Sequence, residues 1–101
     1  MEKLMNIHPG EILEKDFLEP MNITAYKLSK EIGVQQTRIS QIIKGNTAIT
    51  ADMATRLSKF FGTSAELWMN LQSKYEIRKT RAEKQDVLNK IRPMVSATEN
   101  L

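Results

Sequence analysis

The sequence predicts an all-α chain, with five helices built around a helix-turn-helix and a basic C-terminal extension. Three observations predict it. Apolar residues recur at helical spacing through five successive segments. Residues that start helices and residues that end them stand at the borders of those segments. No segment alternates apolar and polar residues as a half-buried strand does, and there is no internal repeat. A length of 101 residues fits one domain, and a hydrophobic content of 41% supports a modest core.

The elements follow in order. Pro9 suits a first helical position, with Glu11 in the first turn, and Ile12, Leu13 and Phe17 form an apolar stripe. Pro20 is expected to stop this helix. Thr24 is a good N-cap for a second helix carrying Ala25, Leu28 and Ile32, and Gly33 ends it. The third helix runs from about Gln35 to Lys44, closed by Gly45. Thr50 caps a fourth, with Asp52 in its first turn, where the helix dipole favours an acid. Its buried face is Met53, Ala54, Leu57, Phe60 and Phe61, and Gly62 closes it. Thr63 to Glu66 has capping-box form and opens a fifth helix with Leu67, Trp68, Leu71 and Tyr75 as its stripe. Beyond Tyr75 the pattern thins. Ile77, Val87, Leu88 and Ile91 could carry a sixth helix ending at Pro93, and the final "SATENL" reads as a frayed end. The division is therefore 1–78 for the domain and 79–101 for the extension.

The net charge of +3 hides an asymmetry. Residues 1–23 hold two basic and five acidic side chains, whereas residues 24–59 hold six basic and two acidic. Residues 74–101 hold seven basic and four acidic. Positive charge clustered in the middle and the tail points to an anionic partner such as nucleic acid. A solvated helix face is the bland account of the same charges.

The third helix sharpens the choice. On a wheel at about 100° per residue, Ile39, Ile42 and Ile43 share one side. Thr37, Gln41 and Lys44 lie opposite, flanked by Ser40 and Arg38, and Gln35 and Gln36 project from the first turn. A short helix, a Gly-containing turn and a helix with a polar outer face form the helix-turn-helix pattern. Its second helix enters the major groove. Gln pairs with adenine through two bonds, Arg with guanine, and Ser or Thr with several bases. Gln35, Gln36, Thr37, Arg38, Ser40 and Gln41 are the candidate base readers. Thr24, Lys27, Lys44 and Asn46 are the candidate contacts to the DNA backbone. The competing account is a helical bundle with Gln, Ser and Thr merely solvated.

"TAYKLSKEIGVQQTRISQIIKG" resembles the helix-turn-helix of the Cro/C1 (XRE-type) repressors, a lambda-repressor-like fold. "MNIHPGEIL", "LEPMNIT" and "AITADMATRLSKFFGTSAELWMNLQ" are similar to the HigA/VapI-type antitoxins within that superfamily, so the resemblance runs from about Met5 to Tyr75. The resemblance implies a dimeric repressor of its own operon that also neutralises a small, basic, RelE-like ribonuclease toxin. In that family the loop after the reading helix is often basic. Here it is "GNTA", and Asn46 keeps a hydrogen-bonding group for a phosphate oxygen.

Other chemistry finds little support. There is no cysteine, so disulfides and thiolate metal sites are excluded, and one histidine, His8, cannot make a zinc site; a structural role at the start of the first helix is expected for it. No nucleophile motif, Gly-rich phosphate loop or convergent acid pair occurs, so neither catalysis nor a cofactor is expected. No apolar run approaches the roughly 18 residues of a membrane span. The start lacks the apolar stretch of a secretory signal, so the expected compartment is the cytoplasm. Leu67, Trp68, Leu71 and Tyr75 form more apolar surface than a terminal helix needs for its own domain, and part of it, with the start of the basic segment after it, is the expected contact between two copies. The competing account is that the whole stripe fills the core under Phe60 and Phe61, and core is the commoner place for a Trp at this spacing. The rival function is a protein-interaction antitoxin with little DNA affinity. A repressor without a toxin partner is a further alternative.

Overall fold

The computed structural model describes residues 6–94, and those residues are helical without a β-strand. The expected frayed end and Met5 lie outside them. The first rod has three parts: α1 (Pro9–Ile12), a π-helical segment (Leu13–Leu18) and α2 (Glu19–Met21). His8 precedes it, and its Nδ1 accepts the Gly10 N–H at 2.9 Å. Pro20 does not stop the rod but sits within its last part, against expectation. The Glu19 N–H reaches the Glu14 carbonyl, five residues back. This wider winding makes room for a ring that would strike the carbonyl four residues back in a regular helix. The chain leaves at Asn22 (φ 57°).

Helices α3 (Ala25–Ile32) and α4 (Gln36–Ile43) follow, joined through Gly33 at φ 73°, a left-handed turn that glycine adopts without strain. The Thr24 hydroxyl accepts the Lys27 N–H at 3.0 Å. Then come α5 (Ala51–Phe61), capped by Thr50, α6 (Ala65–Glu83) and the short α7 (Gln85–Leu88). The cap of α6 is Ser64, whose hydroxyl accepts the Leu67 N–H at 3.0 Å. Thr63 was the expected cap; its hydroxyl instead accepts the Trp68 indole N–H at 2.8 Å.

The core joins Leu13, Leu28, Ile39, Ile42, Met53, Leu57 and Trp68. Trp68 is fully buried and packs on Phe17 with ring centres 4.9 Å apart. It therefore offers no surface to a second copy: for Trp68 the core account holds, and it leaves the expected dimer stripe. Of that stripe Leu67 is exposed, while Leu71 and Tyr75 are half-buried. Gln72 lies on the buried side, one turn beyond Trp68. Helix α6 runs unbroken through residue 78, so the expected domain limit falls inside a helix. Ile77 belongs to α6, Val87 and Leu88 to α7, and Ile91 and Pro93 lie beyond it.

Candidate nucleic-acid interface

Helix α4 divides by polarity as its period requires. Ile39 and Ile42 have no exposed surface, whereas Gln36, Thr37, Arg38, Gln41 and Lys44 are exposed. Ser40 is half-buried. Gln35 is the N-cap residue, with extended backbone (φ −73°, ψ 144°). Its side chain makes no capping bond, so its amide remains available to a ligand.

A cleft of about 490 Å³ brings four expected readers together: Gln35, Thr37, Arg38 and Gln41, with Val34 and Thr47. Gln36 and Ser40 are not part of its lining. They stand four apart on α4, one above the other.

Several of these side chains are held by neighbours. Arg38 Nη2 donates to the Thr50 hydroxyl at 3.2 Å, which links the reading helix to the start of α5. Asn46 Nδ2 donates to Gln41 Oε1 at 2.8 Å, and the Asn46 N–H bonds the Gln41 carbonyl at 2.9 Å. The loop and the reading face thus form one unit. Thr24 is exposed at the start of α3. Lys27 pairs with Glu31 at 3.5 Å, with both side chains about half exposed. Such a pair contributes little, so a phosphate can displace it.

Four residues position this unit; His8 was expected in a structural role at the start of the first helix, and Arg56, Gln72 and Gly10 carried no such expectation. Arg56 donates from Nη1 to the Ile32 carbonyl at 2.6 Å and from Nε to Asp52 at 2.9 Å. It clamps the carbonyl end of α3 just before the turn. Gln72 Oε1 accepts the Ile49 N–H at 2.8 Å, and its Nε2 donates to Glu76 at 2.8 Å. His8 meets Tyr75 edge to face, with centroids 4.7 Å apart. Burial lowers the His8 pKa. A hydrogen bond with the Thr47 backbone and the charge of Glu76 oppose that shift, and the charge of Lys79 adds to it. Gly10 packs on the last turn of α4. Of Arg56, Gln72 and Gly10, only Gln72 left a legible signal, a polar residue at helical spacing from Trp68. Among the described residues no group of His, Cys, Asp or Glu could hold a metal, and no helix is long and apolar enough to cross a membrane.

A partly buried two-helix unit with an exposed, hydrogen-bonding second helix is the architecture of a DNA-binding helix-turn-helix protein. The helix-turn-helix family pattern matches residues 15–68, and the chain belongs to that family. Virulence-associated protein I of Dichelobacter nodosus is 39% identical over 95 residues, covering 94% of this chain and 87% of the relative. Antitoxin HigA-1 of Vibrio cholerae is 33% identical over 90 residues, covering 89% and 85%. The solved Pseudomonas aeruginosa antitoxin HigA with the higBA promoter superposes with a TM-score of 0.86 at 37% identity, covering 90% of this chain and all of the other.

Proposed function

We propose that this chain is a sequence-specific DNA-binding repressor and the antitoxin of a type II toxin–antitoxin module. It acts on its own operon as a homodimer in the cytoplasm, and it neutralises a small, basic, RelE-like ribonuclease. One observation carries the DNA-binding part: α4 buries Ile39 and Ile42 completely while presenting Gln35, Gln36, Thr37, Arg38 and Gln41 to solvent. Neutral amides, a hydroxyl and one guanidinium match the donors and acceptors of base edges. The similarity to a HigA antitoxin solved with promoter DNA supports the same reading. Similarity to HigA antitoxins supports the toxin partner.

A dimer fits the need for two reading helices about 34 Å apart on one face of the duplex. Exposed Leu67 and half-buried Leu71 are the members of the α6 stripe left for that contact. Tyr75 is partly used inside the chain, since its ring packs edge to face on His8 with centroids 4.7 Å apart.

The second reading, an antitoxin with weak DNA affinity, is favoured by the uncharged loop Asn46–Thr47. A mobility-shift titration separates the two. The duplex upstream of the chain's own gene and a random duplex are compared at 50 and 200 mM salt. Tighter binding to the upstream duplex, weakening steeply with salt, is expected of a repressor. Equal and weak binding to both duplexes would leave toxin neutralisation as the main role.

A further inference from the structure

We propose that the cleft between the loop after α4 and the end of α6 is a second contact for the DNA backbone, in which Lys79 and Lys84 supply the cations the loop lacks. This inference rests on the DNA-binding reading above. The cleft measures about 400 Å³, and its walls include Asn46, Thr47, Lys79, Thr80 and Lys84. Thr47 lines this cleft and also the one that holds the readers Gln35, Thr37, Arg38 and Gln41. The two clefts therefore meet at Thr47. A duplex whose base edges meet α4 brings its flanking phosphates past Thr47 towards α6.

The loop is fixed to that wall. Gln72 on α6 holds the Ile49 N–H at 2.8 Å. The His8 ring packs beside Gly45 and against Tyr75. A phosphate seated here would meet a prepared surface, with Asn46 on one side and two lysines on the other.

The cleft also carries Glu76 and Glu83. The Glu76 carboxylate accepts the Gln72 amide at 2.8 Å and is held near α6. The exposed lysines have longer, flexible stems than the glutamates and can extend to a passing phosphate. Glu83 opposes them. The arrangement suits a strand held in passing, where weak local attraction adds to binding at the reading helix.

The test is the affinity of the full chain for its upstream duplex and for a random duplex across 50 to 200 mM salt. Each protomer of a bound dimer carries both lysines, so Lys79→Gln with Lys84→Gln removes four cations and should flatten the slope of log affinity against log salt by about 3.6 on both duplexes. Over that salt range the double variant should then lose about a hundredfold less affinity than the parent. Glu83→Gln should act in the opposite sense and tighten binding at low salt. All three residues are exposed, so the variants are expected to keep the helical circular dichroism of the parent. If the parent shows a steep slope and both variants share it, the second contact is wrong and the DNA reading stands. If the parent binds neither duplex, the DNA reading falls and this inference falls with it.

Discussion

Gly10 lies directly against the Ile42 carbonyl. A Cβ added to Gly10 would overlap that oxygen, and would stand 2.6 Å from the Ile42 carbonyl carbon and 2.9 Å from Ile43 Cα. All three partners are backbone atoms of the reading helix, so no side chain can swing away. The start of α1 thereby sets how deep α4 sits. Gly10→Ala should cost about 1–3 kcal/mol through overpacking. It should also move α4 outward and lower operator affinity. A thermal melt checks the first effect, and an unchanged midpoint would show that the two helices can part freely.

Gln36 stands exposed in the first turn of α4, apart from the cleft that gathers the other readers. Gln36→Ala should lose about 1–3 kcal/mol at one operator base pair and leave random-duplex binding nearly unchanged. Base-by-base competition with substituted operators measures this. Equal losses on operator and random duplex would assign Gln36 to the backbone or to neither.

Arg56 bonds the Ile32 carbonyl and pairs with Asp52. The guanidinium is 41% exposed and the aspartate 66%, so the ion pair itself adds little. The bond to the α3 carbonyl matters more, because it closes the helix end that opens into the turn. Arg56→Met should lower stability by about 1 kcal/mol and weaken operator binding severalfold. Arg56→Lys should restore only part, since one ammonium cannot reproduce the fork. Full operator affinity in Arg56→Met would free the turn from this clamp.

His8 makes stability depend on pH. Burial first, with help from the Lys79 charge, holds its pKa below the ordinary value of 6.5. The unfolded chain then binds the proton more readily than the folded one. Stability is full above pH 6.5 and falls as pH drops through the folded-state pKa. Protonation would also turn Nδ1 into a donor and break its bond from the Gly10 N–H. His8→Asn keeps a capping oxygen but cannot titrate. Its melting temperature should change less between pH 7 and pH 5.5 than that of the parent. Matching pH profiles would place the sensitivity elsewhere.

The exposed Leu67 and the buried Trp68 separate dimer contact from core. Leu67→Asp should give a folded chain that sediments as a monomer at micromolar concentration. Trp68→Asp should unfold it, because a charge would replace an enclosed indole among Phe17 and Phe61. A folded, fully dimeric Leu67→Asp variant would remove this side chain from the contact.

Local chemistry was legible. The sequence by itself determined the caps Thr24 and Thr50, the turn at Gly33 and the two-sided character of α4. Each depends on residues three or four apart or on one backbone angle, and such rules act before any tertiary contact forms. Ser64 took the cap expected of its neighbour Thr63, because Trp68 drew the Thr63 hydroxyl into a different bond.

Tertiary structure alone decided where distant elements cross. The buried line of α6 runs through Trp68 and Gln72, with Leu67 at the surface, because α5 covers one side of α6 and the loop after α4 covers Gln72. The same crossings brought Arg56 to the end of α3, Gly10 to Ile42, and Lys79 and Thr47 to one cleft. Helical periodicity shows that a helix has a buried face. What packs on that face, and which polar groups must be satisfied there, depends on residues twenty to seventy positions away. No local rule of spacing reaches that far.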